Sequence, residues 1–202
     1  GQSYNDPDFV KAANCIKELV DMGAFIDGAT GLSNDEASAS FYAEQVPMYF
    51  TGSWMGGSIV TDAEKPDNFA VAPIPVVNSK NASVTDFMGG GSDTLMVSAN
   101  SKNKDLAAAA AFEITRGVSK HAYLSGAGIP AWTVDYDASS VPALTQQVAD
   151  IAGKATSYTL WFDTLMSSDD AGEYLTLLQS LFAGDLKPEE FAASMDKQLS
   201  KK

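Results

Sequence analysis

The segment of residues 41–54 is the part of this chain that most constrains its fold. An acidic helical stretch is followed by a short apolar run at residues 46–50, which stops at Gly52 and Ser53 and is followed by Trp54. A short apolar run bounded by glycine is typical of a strand. The sequence therefore predicts a helix that leads into a strand, and a strand end that presents the Trp54 indole to whatever lies beyond it.

Composition excludes several classes of partner. The 202 residues are 45% hydrophobic, which is enough to bury a core. Thirteen basic and 26 acidic side chains give a net charge of -13, so nucleic acid and anionic lipid surfaces are repelled. No stretch is long and apolar enough for a membrane helix. We expect a globular chain that neither binds nucleic acid nor inserts directly into a membrane. Because the sequence starts at Gly1 and not at a methionine, we also expect a processed product or a fragment.

Few residues could support catalysis or metal binding. Cys15 and His121 are the only cysteine and histidine, so the sequence has neither a disulfide framework nor a side-chain set for zinc. Gly-x-Ser-x-Gly is absent, and His121 falls in an ordinary helical segment. Asp169 and Asp170 could suggest glycoside hydrolysis, but adjacent carboxylates in a polar loop are usually solvated. We expect no cofactor, no metal and no enzyme activity.

Helical signals dominate the rest of the chain. Ser33 and Glu36 have the spacing of a capping box, Gly117 is placed to end a helix, and Pro188 is placed to begin one. This mixture of helices with a few short strands indicates an α/β or α+β domain, and the strands are too few for a full doubly wound sheet. The predicted helices are 8–22, 33–43, 104–116, 118–124, 144–152, 158–166, 174–182 and 188–199, and the predicted strands are 46–50, 69–75 and 94–97.

Four separated pieces of the sequence, in the right order, resemble the second half of the family 1 extracellular solute-binding proteins of sugar-type ABC transporters. The resemblance departs from the family at Glu44, Gln45 and Val46, where glycine, lysine and alanine are usual, and in the shorter length of this chain. The pieces are Phe41 and Met48 with Gly-Ser-Trp at 52–54; the run 69–75 with the glycine triplet 89–91; Ser-Gly-Ala-Gly-Ile-Pro at 125–130; and residues 181–190, which end in Pro-Glu-Glu.

The resemblance implies an α/β, periplasmic-binding-protein-like (type II) fold, in which two lobes close on a ligand. This chain would be its C-terminal part, with the N-terminal lobe largely absent. Residues 1–92 would form the first part of the C-terminal lobe. Residues 93–130 would form a strand and helices that pack with the N-terminal lobe, and residues 131–202 would supply the closing helices of the C-terminal lobe.

The resemblance also implies a function and partners. Such a protein captures a sugar or oligosaccharide and presents it to the membrane permease subunits of an ABC transporter. It works outside the cell, either in the periplasm or anchored at the cell surface as a lipoprotein, and we expect a monomer when it is complete. Two alternatives remain open: a carbohydrate-active hydrolase domain, which would turn sugar over, and a protein-interaction module, which would bind no small molecule.

Three tryptophans are candidate ligand contacts, because the C–H faces of sugars stack on aromatic rings. Trp54 follows a predicted strand end, and core packing is its alternative role. Trp132 follows a glycine-rich loop and could equally be a surface residue. Trp161 stands on a predicted helix beside Leu160 and Phe162, where a core role is the usual interpretation. Its position nevertheless resembles that of a cleft aromatic in the family.

The glycine-rich segment before residue 94 supplies the polar candidates. Gly90 and Gly91 allow close backbone approach, which suits either ligand binding by main-chain N–H groups or an interlobe hinge. Ser92 and Asp93 could bind sugar hydroxyl groups, and a turn is the alternative role. A phosphate cradle is disfavoured because no Gly-Lys-Ser or Gly-Lys-Thr follows these glycines.

Overall fold

A computed structural model of the chain describes residues 3–90 and 93–199. Within this part of the chain, seven α-helices and one pair of short parallel strands are joined by three 3-10 turns and extended segments. The helices are α1 (Pro7–Asp21), α2 (Asn34–Tyr42), α3 (Met55–Asp62), α4 (Lys104–Ser125), α5 (Ala143–Ala152), α6 (Ser168–Ala183) and α7 (Pro188–Leu199), and the strands are β1 (Asp86–Met88) and β2 (Ser157–Thr159).

Local capping signals set the helix starts. The Ser33 N–H donates to the Glu36 carboxylate at 2.8 Å, and the Glu36 N–H donates to the Ser33 hydroxyl at 3.3 Å, so the predicted capping box is confirmed. The Ser33 hydroxyl also donates to the Glu36 carboxylate, at 2.8 Å. The hydrogen bonds from the Ser33 N–H and hydroxyl lower the pKa of Glu36. Pro188 begins α7 as predicted, because its missing N–H costs nothing in a first helical turn.

The described residues divide into two compact units, one in Gly1–Ser38 with Trp161–Lys202 and the other in Ala39–Leu160. In the first unit, α1 packs against α6 and α7. Leu181 and Met195 are fully buried there, and Phe9 stacks on Phe191 with ring centroids 5.6 Å apart. On α6, Leu181 faces this core, whereas Leu175 is 51% exposed.

In the second unit, α3 packs against α5 through Met55, Ile59 and Leu144. A close contact between main chains lies beside this core. The Gly57 N–H donates to the Gly126 carbonyl oxygen at 2.9 Å, and a β-carbon at Gly57 would lie 2.3 Å from the carbonyl oxygen of Ser125. Only glycine therefore lets the start of α3 meet the end of α4.

The predicted strands 46–50, 69–75 and 94–97 are wrong: all three segments lack strand pairing. A strand forms only where the backbone of a neighbouring strand accepts and donates its hydrogen bonds. Within the described residues, none of these three segments is paired with another strand. Tyr49 and Phe69 are held instead by their rings, which pack against Phe41 at 5.6 and 5.0 Å between centroids. Met48 and Met96 are 84% and 89% exposed. Their apolar side chains therefore do not face a core, as those of a buried strand would.

Two predicted helix assignments also need correction. Helix α4 continues through Gly117 and ends only at Gly126, whose φ of +81° is the left-handed conformation that stops helices. A glycine inside a helix weakens it without breaking it, which is why Gly117 does not end α4. The predicted helix 158–166 is replaced by β2 and a 3-10 turn at Phe162–Leu165, because pairing with β1 extends the backbone of Ser157–Thr159.

We expect Gly57→Ala to lower the free energy of unfolding by about 2 kcal/mol, because the new methyl group must displace the backbone at the end of α4. Denaturant unfolding followed by circular dichroism would measure this. Gly117→Ala is the matched control: it also lies in a helix, nothing lies within 4 Å of its added β-carbon, and it should stabilise the protein by about 0.5 to 1 kcal/mol. Equal stability of the two variants would contradict the proposed close contact.

Candidate functional site

Trp54 is an exposed aromatic residue at the start of a helix whose first residues are buried. It directly precedes α3, and 52% of its surface is exposed, so the alternative of core packing is wrong. The next three residues, Met55, Gly56 and Gly57, are all buried. The helix beneath the indole is thus fixed by packing, while the ring itself remains accessible to a ligand.

Gly90 lies two residues beyond the end of β1, in the second unit. Just beyond β1, the Gly89 N–H donates to the Thr159 carbonyl oxygen at 2.9 Å, and Gly90 follows with a φ of +84°. A β-carbon at Gly90 would lie 3.0 Å from the β-carbon of Tyr158. Both the backbone conformation and the lack of space therefore require glycine at position 90.

Tyr158 is a candidate residue that the sequence analysis missed. Its side chain is 50% exposed on β2, its hydroxyl donates to the Ala152 carbonyl oxygen at 3.4 Å, and its ring lies 6.1 Å from that of Phe87. The helical interpretation of residues 158–166 hid it. The aromatic Tyr158 followed by the β-branched Thr159 is the signal that could have indicated a strand.

Asp86 fastens the two strands together. Its carboxylate accepts hydrogen bonds from the Ser157 hydroxyl at 2.7 Å, the Thr156 hydroxyl at 3.2 Å and the Ser83 N–H at 2.6 Å. The bond from Ser157, followed by that from Ser83, lowers the pKa of Asp86. The charged form of this side chain therefore supports the strand pair on which Gly90 and Tyr158 stand.

Trp161 does not lie on an α-helix, contrary to the prediction. It follows β2 by two residues and precedes the 3-10 turn Phe162–Leu165. Trp161, Leu160 and Phe162 are 42%, 45% and 44% exposed, so the interpretation as a helical core stripe is wrong as well. Trp161 belongs to the first unit, whereas Trp54 and Trp132 belong to the second.

Trp132 packs against α4. Its ring meets that of Phe112 edge to face, with 4.9 Å between centroids, and it is 39% exposed. It lines a concavity of about 250 Å³ in which Arg116 of α4 pairs with Asp135. Of the predicted ligand residues within 3–90 and 93–199, Trp54, Gly90, Asp93 and Trp161 do not line this concavity. The ion pair and the ring contact hold the segment 131–136 against α4.

Two of the predicted polar residues lie outside the described part of the chain, namely Gly91 and Ser92. Asp93 is exposed, in a segment without regular secondary structure. The glycine segment is therefore described only up to Gly90, and the ligand-binding roles of all four residues, Gly90 included, stay predictions.

The residues considered for catalysis have ordinary structural positions. Asp169 and Asp170 lie in the first turn of α6, where the Ser167 hydroxyl donates to the Asp170 carboxylate at 2.7 Å. His121 is exposed on α4. Across residues 3–90 and 93–199, no three acidic, histidine or cysteine side chains are grouped as metal ligands would be. No helix in the same ranges is both long enough and apolar enough to cross a bilayer.

Comparisons with known proteins assign the family. The model of the bacterial extracellular solute-binding protein family matches residues 1–112, which is more than half of the 202 residues. The chain belongs to this family, and the family resemblance read from the sequence is confirmed. No curated protein sequence matches the chain.

Two solved structures share the fold. A protein from a study of xylan utilization by the thermophilic bacterium Caldanaerobius polysaccharolyticus is 31% identical, with a TM-score of 0.87, and the match covers 98% of this chain and 52% of that one. A chitin oligosaccharide binding protein is 22% identical, with a TM-score of 0.82 and coverage of 99% and 50%. The predicted α/β periplasmic-binding-protein-like fold is confirmed, and the chain spans about half the length of both proteins.

Acidification should loosen the strand pair through Asp86. Because its folded pKa is lowered, its carboxylate adds stability above the unfolded pKa of about 3.9, and this stability is lost as the pH falls through the folded value. We expect the hydrogen-exchange protection factor of the Gly89 amide to decrease below about pH 4 in the parent protein.

The matched variants are Asp86→Asn and Asp67→Asn. Asp86→Asn should abolish this pH dependence, because the amide does not titrate, while Asp67→Asn, at an exposed carboxylate in another turn, should retain it. A pH dependence that persists unchanged in Asp86→Asn would show that another group controls the strand pair.

Proposed function

We propose that this protein captures a sugar or oligosaccharide outside the cell and presents it to an ABC permease. The observation that carries the proposal is the Trp54 indole, half-exposed on a buried helix start in a member of the solute-binding family. The names of the two structural neighbours, one linked to xylan utilization and one to chitin oligosaccharide binding, support a carbohydrate over other solutes.

The chemistry of the candidate residues suits a neutral saccharide. Sugar rings present C–H faces that stack on aromatic side chains, and their hydroxyl groups need polar partners. Trp54 and Trp161 would supply stacking surfaces, and Trp132 would be a further contact. The polar partners would come from the main chain of Gly90 and Gly91, and from Ser92 and Asp93.

The division into lobes also belongs to this proposal: residues 1–92 and 131–202 in one lobe, and residues 93–130 packed with the other. Helix α4 supports this division, because none of its described residues is buried. Leu106, Ile114 and Val118 are 71%, 53% and 61% exposed along it, which is an apolar surface that needs a covering partner. Closure of two lobes on the ligand would be a hinge-type population shift.

We further propose that the complete protein is a monomer without enzyme activity, located in the periplasm or anchored at the cell surface as a lipoprotein. Its partners would be the ligand and the permease subunits. The hydrolase alternative has no support from Asp170, which accepts a hydrogen bond from Ser167 at the start of α6. The alternative of a protein-interaction module predicts no saccharide affinity.

Calorimetric titration with xylo-oligosaccharides and chito-oligosaccharides tests this proposal, using the chain with its native flanking sequence. We expect binding by the parent protein, and a loss of affinity of about thirtyfold or more in Trp54→Ala, because the stacking surface is removed. Phe25→Ala is the matched control, since Phe25 is an aromatic residue outside the proposed site that is 42% exposed; its affinity should equal that of the parent.

Thermal unfolding of each variant separates lost binding from lost fold. The absence of binding to every saccharide would refute the proposed ligand class. Cleaved oligosaccharide appearing during the titration would refute the assignment as a binding protein and favour the hydrolase.

A further inference from the structure

We propose that Gly52 is a positioning residue for the Trp54 indole, a role that rests on the proposed function of Trp54. A β-carbon built on Gly52 would lie 2.1 Å from Cζ3, 2.3 Å from Cη2 and 2.6 Å from Cε3 of Trp54. These three atoms are consecutive on the six-membered ring. The indole therefore occupies the space that any side chain at position 52 would need.

The backbone does not itself require glycine at position 52. Gly52 is absent from the residues with positive φ, so alanine could adopt its main-chain conformation. The contact with the indole is what excludes a side chain. This distinguishes Gly52 from Gly90, where a φ of +84° would strain any other residue whatever the space around it.

The conflict would be resolved by moving the ring. The main chain after Trp54 is held by the burial of Met55 and Gly56 and by the hydrogen bond from Gly57 to Gly126. The indole, by contrast, is a flexible side chain that is 52% exposed, so it can rotate into solvent. Gly52→Ala should thus change the direction of the indole and leave the fold intact.

The orientation of the indole would determine the stacking geometry of a bound sugar. A stacked pair depends on the distance and tilt of its two faces, so a displaced ring loses contact even though the tryptophan is still present. Gly52 would act on affinity through Trp54, without touching the ligand.

A double-mutant cycle with Trp54→Phe tests this role. The phenyl ring is shorter and lacks the distal indole atoms that conflict with a β-carbon at position 52. We expect Gly52→Ala to weaken oligosaccharide binding about tenfold when Trp54 is present, and less than about twofold in the Trp54→Phe background. The probes are the xylo- and chito-oligosaccharides, titrated into the chain with its native flanking sequence.

A spectroscopic measurement without ligand tests the same idea independently. Gly52→Ala should change the near-UV circular dichroism and tryptophan emission of the parent, and should leave the spectra of Trp54→Phe unchanged. Gly31→Ala is the matched control, because Gly31 also lacks a positive φ and nothing lies within 4 Å of its added β-carbon. This control should alter neither affinity nor spectra.

The two proposals fail in different ways. If the parent binds none of the saccharides, the proposed function is refuted, and the spectra still decide whether Gly52 orients the indole. If the parent binds and Gly52→Ala binds equally well with unchanged spectra, the positioning role is overturned. An equal loss of affinity in the Trp54 and Trp54→Phe backgrounds would also overturn it, because the effect would not pass through the indole.

Discussion

The close approach of α3 and α4 at Gly57 and Gly126 holds these two helices together in the second unit. One main-chain hydrogen bond of 2.9 Å joins the two helix ends, and the fully buried Thr145 of α5 donates its hydroxyl to the same Gly126 carbonyl at 3.4 Å. A β-carbon at Gly56 would lie 2.3 Å from that hydroxyl oxygen, so side chains are excluded on both sides. Because Trp54 directly precedes α3, this contact fixes the backbone from which the indole projects.

Two of the candidate aromatic residues, Trp54 and Tyr158, share a physical arrangement in which a glycine leaves the space that the side chain occupies. Gly52 lies against the indole of Trp54, and Gly90 lies against Tyr158. In both cases the aromatic side chain keeps about half of its surface exposed while its base is tied to regular structure. Tryptophan and tyrosine have only two side-chain torsions to order, so a contact made by such a ring costs little conformational entropy.

A solute-binding protein needs surfaces of two kinds, one that meets the ligand and one that meets the rest of the protein. Half-exposed tryptophans are suited to the first kind, since each ring offers a large contact area to a ligand. The apolar residues of α4 are suited to the second, because Leu106 and Val118 are exposed on a helix that packs none of its described residues into a core. The chain spans about half the length of both solved structures.

The sequence by itself determined the starts of two helices and the family. Hydrogen bonds between near neighbours suffice for the capping box of Ser33 and Glu36 and for the helix start at Pro188, and short motifs in a fixed order indicated the family. Only the tertiary structure decided which residues form strands, because β1 and β2 pair across about 70 residues of chain. It also decided the exposure of Trp161 and the value of Tyr158 as a candidate, since burial depends on contacts between distant segments.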